Sequence, residues 1–395
     1  MRVVITLEQR FDRTPDGTVW TSTDFSHEFW QRYLTVFDAV RVVARVRDVA
    51  SPPAGHRPST GERVEFAPVP HYHGPTDFLR VAPAVVRTVR AAFGREDALI
   101  LRIGSLLAHC IEPALRRSRH PYGVEVVGDP YEVFAPGAMR HPLRAFFRSW
   151  FTRSQRRQCA GACAALYVTR GSLQKRYPCP ACEVGVSDVE LEEVLSGRSI
   201  RSGDRRYQLV MVGTLEQLYK APDILIRAAA LCVRAGLDLG LSFVGDGRYR
   251  GEMEAMCRQL GISDRVTFHG TLPAGQAVRA KLDEADVFVL ASRTEGLPRA
   301  MVEAMARGLP CIGSTAGGIP ELLAVDDLVP PDDVDALADK IREVVTQPGR
   351  MAEMSSRNLG KAREYTRSVL HGRRTEFYRH VREVTEAWQR SQEAR

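Results

Sequence analysis

Lysine is nearly missing from this sequence of 395 residues: among 55 basic side chains only positions 175, 220, 281, 340 and 361 are lysine, and arginine supplies the rest. Such a bias follows overall composition more than chemistry, and it makes the setting of each lysine informative. Long apolar runs are missing too. None approaches the ~18–20 residues that cross a bilayer, and the amino terminus opens on the strand-like Val3-Val4-Ile5 rather than on a leader pattern. A cytoplasmic chain is therefore expected. Short-period repeats and low-complexity segments do not occur, and 44% apolar with 26% charged residues excludes a disordered or fibrous protein. The net charge of +7 includes the arginine runs Arg153 to Arg157 and Arg373-Arg374. These runs are not interleaved with aromatics as a single-strand platform would be, so no nucleic-acid partner is expected. They read as solvated faces, with peripheral contact to a membrane or an anionic acceptor left open.

A cytosolic chain is expected to leave its eight cysteines reduced. Cys159, Cys163, Cys179 and Cys182 form a C-x3-C…C-x2-C pattern that could ligate zinc. The competing reading packs Cys159 and Cys163 between a helix end and the strand Ala164 to Val168. Cys110, Cys232, Cys257 and Cys311 sit singly in apolar segments and read as buried thiols. His71 and His73 lack a third ligand at helical spacing and read as a loop pair.

The length favours two domains. The first half alternates strand patterns (Val3 to Leu7, Val40 to Val46, Leu99 to Ile103, Val124 to Val127, Leu166 to Thr169) with helical ones such as Phe78 to Phe93 and Leu106 to Arg117. The polar stretch Leu195 to Arg206 lacks apolar periodicity and marks a boundary, giving domains 1–195 and 196–367. The second half repeats the grammar with strands Leu209 to Val212, Leu241 to Val244, Val266 to Phe268, Val287 to Leu290 and Cys311 to Gly313. Residues 368–395 form a charged helix expected to pack back toward the amino-terminal domain. The fold class is α/β, two Rossmann-like doubly wound domains.

The chemistry concentrates after the strand Val287 to Leu290, in Ser292-Arg293-Thr294-Glu295-Gly296-Leu297-Pro298 and the helix that follows. Ligands bind at the carboxyl ends of parallel strands. Pro298 suits a first helical turn, so the Gly296 and Leu297 amides would point outward from a helix amino terminus toward phosphate. Glu295 in the loop and Glu303 two turns along the helix can reach opposite sides of a bound diphosphate; the plain alternative is two surface glutamates. Upstream, Gly213-Thr214 follows the first strand of the second domain, and Lys220 lies just before a helix that Pro222 can start, where an ammonium can neutralise a pyrophosphate. Thr315-Ala316-Gly317-Gly318-Ile319-Pro320-Glu321 supplies two glycines that would let a ligand approach the backbone, or form an ordinary turn.

These residues resemble the retaining glycosyltransferases of family 4, whose two Rossmann domains face each other across a cleft in the GT-B fold. The likeness runs over about Leu209 to Thr346. Glu295 and Glu303 match the family's E-x7-E, Lys220 its phosphate-binding lysine and Gly317-Gly318-Ile319-Pro320-Glu321 its GG-x-P-E turn. The resemblance implies transfer from a nucleotide-diphosphate sugar, most readily a UDP-linked hexose or N-acetylhexosamine, to a hydroxyl acceptor, with no metal and no other cofactor. Glu295 would contact the donor sugar, Glu303 the ribose and Lys220 the diphosphate. Gly213, Thr214, Gly245, His269, Leu272, Gly296 and Leu297 would complete the donor site, with Val266 to Leu272 beside the base. On the acceptor side Asp16-Gly17 stands where the family has a glycine pair, and Gly128-Asp129 stands where many members carry a histidine. Asp129 would then serve catalysis, or hold a strand-end turn. Thr214 replaces a common arginine, for which Arg293 and Arg248 are the available substitutes. The competing readings are a nucleotide-sugar epimerase on the same plan and a non-catalytic nucleotide-sugar-binding protein. A dehydrogenase rests only on Gly245-Asp246-Gly247, which lacks the ribose-binding acid.

Overall fold

Runs of valine, isoleucine and leucine four to six residues long are buried on both faces when helices cover a parallel sheet. The chain builds two such sheets. The computed structural model describes all residues except 135–141, 202, 204, 205 and 395, so three positions of the expected linker Leu195 to Arg206 lie outside the described residues. It separates into two units: Met1–Tyr131 with Leu143–Val186 and His371–Arg395, and Glu132–Pro142 with Ser187–Leu370.

The first unit holds β1 (Arg2–Arg13), β2 (Val19–Thr21), β3 (Ala39–Asp48), β4 (Arg57–Pro58), β5 (Val64–Val69), β6 (Ala98–Ile103), β7 (Gly123–Val126), β8 (Ala164–Tyr167) and β9 (Glu183–Gly185). Parallel pairing runs β5-β3-β1-β6-β7-β8-β9, while β2 and β4 add antiparallel edges. Strand β1 extends well past Leu7. Its pairing with β3 shifts register between Leu7 and Arg10 and then continues in parallel to Arg13, where Asp12 and Arg13 also pair antiparallel with β2.

The final helix, Arg367–Glu393, belongs to this unit from His371 onward. A Cβ at Gly123 would lie 2.7 Å from the Val381 side chain, so the helix rests directly on the β7 backbone. Beneath it Glu125 is buried with Arg102 at 2.6 Å, and it accepts from the hydroxyls of Tyr33 at 2.8 Å and Tyr378 at 3.3 Å. One buried charge is thus met by one cation and two hydroxyls, as burial of a carboxylate requires.

The second unit holds β10 (Tyr207–Val212), β11 (Leu239–Val244), β12 (Val266–Phe268), β13 (Val287–Leu290), β14 (Cys311–Ser314) and β15 (Leu328–Val329), all parallel in the order β12-β11-β10-β13-β14-β15. The strand order reverses between β10 and β13. In an open α/β sheet that switch point opens a crevice at the carboxyl ends of the strands. Every expected donor residue follows one of the strands β10 to β13.

Candidate active site

Lys220 ends a short turn, Leu218–Lys220, between β10 and the helix Pro222–Arg234. Its ammonium donates to Glu295 Oε1 at 2.6 Å, and the two side chains are only 13% and 10% exposed. This pair joins the loops after β10 and β13 across the switch point. Gly213 makes room for it: a Cβ there would lie 2.4 Å from Lys220 Cδ. Gly245, at φ +137°, meets Gly213 in turn, where a Cβ would stand 2.0 Å from the Gly213 carbonyl oxygen. The Gly245 amide donates to the Gly270 carbonyl at 2.8 Å. The ends of β10, β11 and β12 are therefore drawn together through backbone, and Gly213, Gly245, Lys220, Glu295 and the His269-Gly270 turn form one chain of contacts.

The two glycines of the GG-x-P-E turn have a use that the sequence does not reveal. A Cβ on Gly317, at φ +54°, would lie 1.7 Å from the Glu295 carbonyl oxygen, and the Gly318 amide donates to the Gly296 carbonyl at 2.8 Å. They admit the neighbouring loop and so fix the backbone that carries Glu295.

Helix Arg299–Ala306 begins one residue later than expected, with Pro298 extended at its N-cap. Among the described residues no acceptor takes the amides of Gly296 or Leu297, which leaves both donors for a ligand. Glu303 is half-buried, and no described residue donates to its carboxylate. Burial pushes its pKa up, opposed by the charges of Arg299 and Arg279. An acid hidden without a partner costs stability, and ribose hydroxyls are the donors such an acid lacks. His269 is held by its amide to the Phe243 carbonyl at 2.9 Å, and burial lowers its pKa. Leu272 packs partly buried against the core.

Of the two arginines available to replace the missing cation at Thr214, one is committed elsewhere. Arg293 grips both Asp223 oxygens at 3.0 and 2.7 Å, Asp332 at 2.6 Å and the Leu218 carbonyl at 2.6 Å. It fastens the Lys220 turn to the β13 loop and is a scaffold for the ammonium, a role its sequence position does not signal. Arg248 is exposed and bonds to the Glu216 carbonyl at 2.9 Å. The Thr214 hydroxyl accepts from the Glu216 amide at 3.0 Å and shapes the turn.

On the first unit, Asp129 follows β7. Its carboxylate accepts from the Tyr177 hydroxyl at 2.5 Å, from the Tyr131 amide at 3.0 Å and from Arg176. These bonds leave it holding the strand-end turn. The adjacent Gly128 carbonyl accepts from Gln155 at 2.9 Å. Asp16 and Gly17 form the β1–β2 hairpin turn, where Asp16 caps Thr14 at 2.5 Å and the Thr18 amide at 3.1 Å and its pKa is lowered by those bonds. This turn follows the carboxyl end of β1, which stays paired in parallel with β3 as far as Arg13. Among the described residues no group of three or more histidines, cysteines or acids is placed to hold a metal ion, and that includes the four cysteines from Cys159 to Cys182.

Residues 206–347 match the family described as glycosyl transferases group 1. Protein CapJ of Staphylococcus aureus is 28% identical over 315 residues, covering 79% of each chain. A GDP-mannose-dependent alpha-(1-6)-phosphatidylinositol monomannoside mannosyltransferase of Mycolicibacterium smegmatis is 33% identical over 145 residues, 34% of this chain and 38% of that one. Among solved structures, the lipopolysaccharide outer core galactosyltransferase WaaB superposes with a TM-score of 0.66 at 17% identity, covering 95% of this chain and 99% of WaaB. Anabaena HepE in complex with UDP-glucose gives 0.60 at 15% identity, over 98% of this chain and 100% of HepE. These likenesses show the fold class: two α/β domains of the GT-B type.

Proposed function

We propose, from the premise that residues 206–347 belong to the glycosyl transferases group 1 family and that the chain is a glycosyltransferase of that type, that it moves a hexose or N-acetylhexosamine from a nucleotide-diphosphate donor to a hydroxyl acceptor with retention at the anomeric carbon. The observation that carries this reading is the Lys220–Glu295 pair at the β10/β13 switch point, with the unpartnered Glu303 on the adjoining helix.

As the bond from the sugar to the β-phosphate oxygen breaks, negative charge grows on the diphosphate. The Lys220 ammonium and the free amides of Gly296 and Leu297 are donors already oriented for that charge, and they act without reorganisation. Glu295, released from Lys220 by the incoming phosphate, turns its carboxylate to the sugar hydroxyls, and Glu303 takes the ribose. The departing oxygen accepts the acceptor's proton on the same face of the sugar, which needs no protein nucleophile and no metal. The first unit receives the acceptor. Uridine is favoured over guanosine because the structural neighbour HepE was captured with UDP-glucose; the mannosyltransferase relative is GDP-mannose-dependent, so both bases are tested.

Incubation with a panel of UDP- and GDP-sugars, with and without hydroxyl acceptors, followed by NMR of the product's anomeric proton, tests the proposal. The expected product keeps the donor's anomeric configuration. An inverted product overturns retention, and the absence of both transfer and donor hydrolysis overturns catalysis.

A further inference from the structure

Helix Arg144–Ala160 is built inside out. Its buried positions are Thr152, Ser154, Gln155, Gln158 and Cys159, four of them polar. Gln158 is fully buried, and neither its Oε1 nor its Nε2 has a partner among the described residues; Gln155 Oε1 has none either. The outer ridge carries Phe146 at 59% exposed and Trp150 at 39%, and Leu143 at the N-cap is 55% exposed. Leu143, Phe146, Trp150, Arg153 and Arg157 follow one another at spacings of three and four, so they line one stripe of the helix. A helix that only had to pack would turn its aromatics inward and its glutamines to water. Folding of the first unit does not account for this ridge.

The segment that carries it is basic, with Arg157 at its far end paired to the buried Glu112 at 2.6 Å. From Val133 to Cys182 the sequence holds nine arginines and lysines and no aspartate or glutamate. Arg148 lies 3.5 Å over the Tyr131 ring, which keeps its cation beside the aromatic stripe. Arg153 is exposed, and no described carboxylate pairs with it. Trp150 stacks on His109 at 4.7 Å and 24°, so one face of the indole is covered while its outer edge stays in water. A half-held tryptophan, projecting phenylalanine and leucine, and a fringe of arginines together fit the boundary between lipid headgroups and acyl chains. Acidic protein partners would be drawn to the arginines but give no reason for Leu143 and Phe146. A nucleic-acid strand would need open ring faces, and Trp150 has one covered. No helix among the described residues is long and apolar enough to cross a bilayer, so the contact is peripheral.

We infer that the Leu143–Phe146–Trp150–Arg153 ridge docks the protein on an anionic phospholipid bilayer. The test is flotation of the full chain with vesicles of phosphatidylglycerol and phosphatidylcholine, compared with phosphatidylcholine alone. The wild type should float with the anionic vesicles, less so in high salt, and remain free with the neutral ones. The double variant Phe146→Ser/Trp150→Ser should lose binding about tenfold or more. Arg153→Glu, which leaves the packed face untouched, should lose about fivefold or more. Both variants should keep the wild-type melting profile and nucleotide binding, which separates failure here from failure of the donor site. The inference is overturned if the wild type ignores anionic vesicles or if both variants float like wild type. It is equally overturned if the ridge variants dissolve a dimer instead, or if single-stranded RNA competes the protein off the vesicles through the same residues.

Discussion

Replacing Lys220 with alanine removes the cation that pairs with Glu295. The ammonium sits 2.6 Å from the carboxylate with both groups largely shielded from water, so its charge acts at reduced dielectric. On the proposed path it binds the leaving diphosphate more strongly in the transition state than in the ground state. Arg293 cannot take over, because its guanidinium is committed to Asp223, Asp332 and the Leu218 carbonyl. Lys220→Ala should therefore lower kcat/KM by on the order of 100-fold or more, about 3 kcal/mol of lost stabilisation. Its stability cost should be roughly 1–3 kcal/mol, since Glu295 is left shielded without its partner. Lys220→Arg should recover only part of the rate: Gly213 admits the slim lysine stem, where a Cβ would stand 2.4 Å from Cδ, and a planar guanidinium is wider. Initial rates of donor consumption at subsaturating donor, beside thermal melts, read both quantities. A folded Lys220→Ala enzyme that turns over at the wild-type rate refutes the reasoning, and Arg248 would be the next cation to test.

Gly317→Ala puts a Cβ into the Glu295 carbonyl at a left-handed backbone position, so it should cost roughly 1–3 kcal/mol in urea melts and reduce turnover by displacing Glu295. Glu303→Gln should raise the melting temperature of the ligand-free protein while weakening donor binding in calorimetry. Burial raises this acid's folded pKa, so its penalty grows as pH climbs from the ordinary value of 4.5 through the raised one. The variant's advantage should be present at neutral pH and vanish in melts below about pH 4. Glu125→Leu should cost about 3–5 kcal/mol by stranding Arg102, and Tyr378→Phe about 1 kcal/mol, with urea titration as the measure.

The sequence carries the second sheet well because its strands are continuous apolar runs: Val266–Phe268 and Val287–Leu290 are the segments that pair in the sheet. It hides β5, whose Val64–Val69 includes Glu65 and Pro68, and the two- and three-residue edges β4 and β2, which are too short to show a period. Strand-end loops are legible as places where ligands bind, and this brought Lys220 and Glu295 forward. Their pairing across 75 residues is not legible, since it depends on which strands neighbour each other. The same limit hides the contact of Gly317 with Glu295 and the commitment of Arg293. Nor does the sequence reveal that Arg144–Ala160 keeps Phe146 and Trp150 exposed while burying Gln155 and Gln158.

Calorimetric titration of the wild-type protein with UDP, GDP and their sugars, with Glu303→Ala alongside, tests the central claim most directly. The account predicts saturable binding of a nucleoside diphosphate, favouring uridine, and marked weakening in the variant. No heat from any nucleoside diphosphate or its sugar at millimolar concentration, or equal binding by Glu303→Ala, would contradict it.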